Sequence, residues 1–238
     1  MYLTEKYKKK IWKFSHVAGW TVVFVLAVNM IRQWVADVCL IPSISMERTI
    51  MAGDRIVVLK TEKEDYSRND LIIFNHPDDN GLQLVKRCIG LPGDTVILRE
   101  GVVHVNGKPV VDPPSVRAPQ TDYPLDFPLQ SLAWTANDYG PVVTPAKQLY
   151  VVLDSVSMNL YRNVIRLENG DTPDTGGDYM FQTDCYFVLG DNRSCSVDSR
   201  HWGFVPKELI VGKAYMVCFS IDSDVKRIRW ERFGKLLK

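Results

Sequence analysis

The sequence contains no CxxC pair, and its five cysteines (Cys39, Cys88, Cys185, Cys195, Cys218) are an odd number. Neither a zinc site nor a complete disulfide framework is therefore read from it. It also lacks a strong charge of either sign. The formal net charge of +1 gives no global basic field, and no zinc-finger or RNP signature occurs, so nucleic acid is not an expected partner. Its four histidines (His16, His76, His104, His201) form no recognisable triad pattern. No internal repeat is present. What the chain does have is 46% hydrophobic and 24% charged residues over 238 positions, enough to bury one sizeable core or two small ones.

Five lysines (Lys6, Lys8, Lys9, Lys10, Lys13) precede an apolar run, Val17–Ile31, in which only Thr21 and Asn29 are clearly polar. Extended from Phe14 to Val35, with Arg32 reaching to the interface, the run approaches the roughly 20 residues that a spanning helix needs. Trp12, Trp20 and Trp34 are candidate interface anchors, and lysines before the span predict a cytoplasmic N-terminus. A cleavable leader and a buried core helix are the competing readings. The first lacks a small-x-small cleavage site, and the second would show a polar stripe.

From Val38 onward the pattern changes to short apolar runs of period two: Arg55–Leu59, Asp70–Phe74, Leu82–Ile89, Thr95–Leu98, Val102–Val105, Tyr186–Leu189 and Ala214–Phe219. Turn signals such as Gly53-Asp54, Arg68-Asn69 and Pro92-Gly93-Asp94 separate them, which predicts antiparallel β structure. Val103–Lys108 reads as a hairpin closed by Asn106-Gly107. Residues 109–145 hold eight of the thirteen prolines, so a loop-rich excursion is expected there.

The expected fold is mostly β, an antiparallel sheet or barrel-like domain with an inserted smaller β unit, preceded by one N-terminal transmembrane helix. The expected divisions are a basic cytoplasmic N-terminus (1–13), an anchor (14–37), a first core part (38–106), an inserted proline-rich β or loop region (107–183), a second core part (184–222) and a basic tail (223–238). The tail reads either as a surface helix touching the membrane or as a solvated end.

Three blocks could carry chemistry. In Ile41-Pro42-Ser43-Ile44-Ser45-Met46 two serines, read as lying on an extended segment, project the same way. Alone they also fit a turn or cap. Lys86 lies within the apolar stretch Leu84-Val85-Lys86-Arg87-Cys88-Ile89. Burial would lower its pKa and free a neutral amine to act as a base, although a lysine tip reaching solvent is the commoner case. Arg87 is expected on the opposite, wetter face. Gly190-Asp191-Asn192-Arg193 through Ser196-Val197-Asp198-Ser199-Arg200 packs polar residues into a tight loop, and Asp198 with Arg200 could be a plain structural ion pair.

In this order and spacing the blocks resemble the bacterial type I signal peptidase family. The match is carried by Ser43-x-Ser45-Met46, Gly53-Asp54-Arg55, Lys86-Arg87 running to Gly90-Leu91-Pro92-Gly93-Asp94, and Gly190-Asp191-Asn192-Arg193. It covers roughly residues 10–105 and 184–220. The resemblance implies a serine endopeptidase at the inner (cytoplasmic) membrane, single-pass, with its catalytic domain on the outer face. Its substrates would be preproteins with signal peptides, cut after small residues, and its partners the lipid bilayer and the secretion translocon. No metal or cofactor is implied. Carried over residue by residue, Ser45 is the nucleophile and Lys86 the general base. The Ser43 hydroxyl joins the Ser45 N–H in the oxyanion hole, and Ser196 orients the amine. Asp198 and Arg200, with Gly190 and Asp191, support the site. Ile41, Pro42, Met46, Ile50, Leu84 and Val85 line the substrate pockets.

The chain departs from the family pattern at several places. Glu47-Arg48-Thr49 stands where x-Pro-Thr is usual, which predicts a looser turn after the nucleophile. Ile44 stands where glycine is common, so its backbone must avoid positive φ. Leu84 replaces an aromatic, Asn69 a glycine and Cys195 an asparagine. A homologue that binds signal segments without cutting them is the rival these departures motivate.

Overall fold

The computed structural model describes residues 2–60, 66–77, 79–118, 122–125, 134–170, 177–222 and 224–237. The side chains of Lys6, Lys8, Lys9, Lys10, Phe14 and Trp34, and residues 119–121 and 126–133 of the proline-rich stretch, lie outside the described residues. The chain forms two compact units, residues 1–37 and 38–238.

The first unit is helix α1 (Tyr2–Trp34). It begins well before the expected anchor and stops before Val35, and residues 36–40 are strand. Among the described residues no helix is long and apolar enough to cross a membrane, which corrects the expectation of a clear transmembrane segment over 14–37. The apolar run is interrupted by Thr21 and Asn29, which bond back to the Val17 and Val25 carbonyls at 2.9 Å and 2.8 Å. It ends at Arg32, which is ion-paired to Asp37 at 3.3 Å.

The second unit is antiparallel β, as the period-two runs predict. In chain order its strands are β1 (Ala36–Leu40), β2 (Asp54–Leu59), β3 (Leu71–His76), β4 (Asp79–Gly90), β5 (Thr95–Arg99), β6 (Val102–Val105) and β7 (Lys108–Pro109). They continue with β8 (Tyr139–Val143), β9 (Tyr150–Val152), β10 (Asp178–Met180), β11 (Cys185–Leu189), β12 (Val205–Pro206), β13 (Ile210–Asp222) and β14 (Arg227–Ile228). The main sheet runs β1-β2-β13-β3-β4-β11-β12, with β14 beside β13. Among the described residues this pairing path is an open sheet, not the closed ring that a barrel requires. β7-β6-β5-β8 form a second sheet, and β9 pairs with β10. Asn106 and Gly107 both have positive φ, 51° and 76°, the geometry of the hairpin turn expected at that dipeptide.

One element of the region 107–183 was not foreseen: helix α2 (Ser155–Asn169). Asp154 caps it, accepting from the N–H groups of Val156 and Ser157, while the Ser157 hydroxyl closes the reciprocal box. Tyr161, Val164 and Ile165 turn inward and join a core with Val96, Phe187 and Phe204. That core binds the insertion to β11 of the main sheet.

The tail is neither a surface helix nor a free end. Arg232 is buried on Asp54, with Nε 2.8 Å from Oδ1, and Leu237 sits in the core with Ile41, Met46 and Ile50. Burial pushes the Asp54 carboxyl up. Its bonds from Arg232, Ser220 and the Met51 N–H outweigh burial and hold it below the ordinary range. Arg232→Met is expected to cost about 3–5 kcal/mol in urea unfolding at neutral pH, because it strands a buried charge. The depressed carboxylate stabilises the fold above its unfolded pKa. That contribution is lost as pH falls through the folded pKa, so the gap between variant and wild type should close in acid. Equal midpoints at pH 7 would refute the role given to this pair.

Candidate active site

The Ser43–Met46 block is not an extended segment. After Ser43 the chain enters a tight turn, with Glu47 N–H bonding the Ile44 carbonyl at 3.0 Å and Ile50 N–H the Met46 carbonyl at 2.8 Å. The turn is folded over the apolar residues beneath it. Ile41, Met46, Ile50 and Val85 are all buried in one core with Val58 and Val217. Of these four expected pocket residues, Met46 and Ile50 are the turn's own buried side chains, and Ile41 and Val85 pack with them in the same core. Pro42 is exposed and Leu84 half-buried. The two serines do meet: Ser43 Oγ lies 3.3 Å from Ser45 Oγ.

Strand β4 carries the amine. Lys86 is only 2% exposed, which answers the solvent-tip alternative. Its Nζ donates to Ser196 Oγ at 2.9 Å. Burial brings its pKa down to about 8. Asp198 and Asp191 pull it the other way, and Arg200 adds to the lowering. An alkyl ammonium deprived of water loses more solvation than the distant carboxylates return, and so it releases its proton near neutrality.

Ser196 is held by the loop that carries it. Asp198 caps the short helix α3 (Ser199–Trp202) and accepts from the Gly190 N–H at 3.0 Å. It grips Arg200 through both oxygens, at 2.8 Å and 2.9 Å. Burial alone would raise the Asp198 carboxyl, but Arg200, reinforced by the His201 bond, keeps it well below the usual carboxylate range. Arg200 reaches on to the carbonyls of Ala136 and Arg193.

Gly190 joins the two halves. A Cβ on it would fall 2.1 Å from Ser196 Oγ and 2.7 Å from the Ser45 carbonyl oxygen. The loop bearing Ser196 and the turn bearing Ser45 therefore close on one point, where only hydrogen fits. This close approach, not an unusual φ, is what requires glycine here.

Arg87 is not on a wetter face. It is fully buried and bidentate to Asp191 at 2.7 Å and 2.6 Å. Asp191 also accepts from the Thr49 hydroxyl, so one carboxylate ties β4 to the turn that carries Ser45. Asn192, to which sequence alone assigns no role, bonds the peptide carbonyls of both Ile44 and Ser45. Its N–H donates to Ser45 O at 3.0 Å, and its side-chain amide to Ile44 O at 3.2 Å. Its place inside the Gly-Asp-Asn-Arg block was the available signal. Cys88 is buried, with its thiol pushed up to about 12 by burial, so it supplies no thiolate beside Lys86. Cys195 is exposed.

The family model described as "Signal peptidase, peptidase S26" matches residues 14–219. The chain is 32% identical to "Probable signal peptidase I-2" of Synechocystis sp. over 199 residues, covering 81% of this chain and 66% of that protein. It is 32% identical to "Signal peptidase I" of Aquifex aeolicus over 213 residues, 83% of this chain and 81% of that one. Against "Signal peptidase I" of Bacillus licheniformis the identity is 28% over 217 residues, 90% and 92% of the two chains. The chain belongs to the signal peptidase family, peptidase S26, and is a serine peptidase of the signal peptidase I type.

Proposed function

We propose that this chain is a membrane-anchored endopeptidase that removes signal peptides from exported preproteins, with Ser45 as nucleophile and Lys86 as general base. The observation that carries the reading is the buried Lys86 amine, bonded to an uncharged hydroxyl and lowered to about 8. The neutral amine takes the Ser45 Oγ proton as the oxygen attacks the scissile carbonyl. The Ser43 hydroxyl and Ser45 N–H stabilise the oxyanion, and the ammonium returns the proton to the leaving amine. Water, deprotonated by the same amine, then hydrolyses the acyl-enzyme. Ser196 fixes the amine, and Asp198, Arg200, Gly190 and Asp191 hold the loop that carries Ser196.

Anchoring is supported by α1, where Val17, Trp20, Val22, Val23, Phe24, Val25, Leu26 and Val28 are all exposed. That surface suits contact with lipid at the inner membrane, beside the translocon that delivers preproteins.

The test is cleavage, in detergent, of a preprotein with small residues at the first and third positions before the cut. The neutral lysine is the active form, so kcat/KM should rise about tenfold per pH unit below pH 8 and level off above it. No product across several preproteins, or a rate flat from about pH 6 to 9, would overturn the mechanism.

A further inference from the structure

The nucleophile turn has a conformation that the family's usual proline could not adopt. Arg48 stands at that position with φ of 77°, in the left-handed region, whereas a proline ring holds φ near −65°. A turn that needs a costly backbone state at an exposed arginine must be held by contacts elsewhere. The neighbouring Glu47 makes them. Its Oε2 accepts from the Asn192 side-chain amide at 3.3 Å and lies 3.8 Å from Arg117 Nη1. Asn192 is 2% exposed and bonds the carbonyls on both sides of the nucleophile. Arg117 belongs to the inserted region, and its own backbone N–H donates to Asp191 O at 2.7 Å.

We propose that Glu47 is a positioning residue for Ser45. It orients the Asn192 amide against the nucleophile turn, ties that turn to the insertion through Arg117, and takes over the stiffening that a proline at 48 would otherwise supply. This rests on the assignment of Ser45 as the nucleophile. It also gives the insertion a purpose, because Arg117 docks the inserted region on the catalytic loop.

The test uses the full chain with two readouts. The first is preprotein cleavage by Glu47→Ala, Glu47→Gln, Arg117→Ala and Arg48→Pro. Glu47→Ala should lower kcat about tenfold with KM moving less than about twofold, the signature of a misplaced reacting group. Glu47→Gln retains an acceptor for Asn192 and should keep at least about half the activity. Arg117→Ala should lose only about two- to threefold, and less at high salt, because that pair is partly exposed. Arg48→Pro should fall at least about tenfold, since φ must change. The second readout is amide exchange at Glu47, Thr49 and Ile50. It should accelerate about tenfold in Glu47→Ala and Arg48→Pro, with β13 unchanged.

Full kcat in Glu47→Ala, wild-type activity in Arg48→Pro, or a loss of Tm and activity together would each overturn the positioning role. If the wild type cleaves nothing, the function falls, while the exchange pattern still decides whether Glu47 holds this turn.

Discussion

Lys86→Met is expected to remove cleavage by about 10⁴-fold or more, the scale seen when a serine peptidase loses its base, while the protein becomes harder to unfold. The two effects share one cause. The amine is fully buried and its pKa is depressed to about 8, so at pH 7 the fold carries a mostly protonated group whose charged form it disfavours. Methionine has nearly the same length and shape without that cost. Lys86→Arg separates charge from basicity. Guanidinium keeps the positive charge but cannot give up its proton near neutrality, so it should be as inactive as methionine and, being bulkier against Ser196, less stable. Preprotein cleavage and a urea titration on the same samples check both. A fully active Lys86→Arg enzyme would end the assignment of a lysine base. An inactive but destabilised Lys86→Met would mean that the amine is needed to hold the loop.

Gly190→Ala is expected to cost activity by a purely steric route. The new methyl would lie 2.1 Å from Ser196 Oγ, 2.5 Å from Ser196 Cβ and 2.7 Å from the Ser45 carbonyl oxygen, all inside van der Waals contact. One of these atoms is main chain, and Ser196 has no length to swing aside. Gly190 cannot retreat freely, because its N–H is bonded to Asp198, itself locked to Arg200. The loop and the nucleophile turn must therefore separate. A displacement of about 1 Å in such a site typically costs around 10²-fold in rate, and overpacking of this kind costs about 1–3 kcal/mol of stability. Measured kcat within about twofold of wild type would show that the two segments are not held against each other in solution.

Both expectations draw on residues that the sequence had already brought forward, and the reason is chemical. A lysine among apolar neighbours on a strand is an anomaly that alternation alone exposes, and strands β2 to β6 were legible because their period is simple. What escaped was of two kinds. Helix α2 opens with Ser155-Val156-Ser157 and holds Val164 and Ile165, β-branched and hydroxylated residues that read poorly as helix; its Asp154 cap and the Gly170 that ends it were the clues. Arg87 was misplaced because alternation puts it across from Lys86, which is correct, but the far side is solvated only if nothing covers it. Asp191 arrives there from 104 residues away along the chain, and no local pattern announces such a partner. The Asn192 contacts to Ile44 and Ser45 are hidden for the same reason, being set by how two loops meet.

The packing of Leu237 with Ile41, Met46 and Ile50 also orders events in time. Ribosomal synthesis delivers Ser45 well before Leu237, and domains settle as their parts become available. Until Arg232 and Leu237 emerge, Asp54 lacks its counter-charge and the core of Ile41, Met46 and Ile50 has a gap. A chain that has not yet reached Arg232 therefore holds Ser45 on an unfinished support.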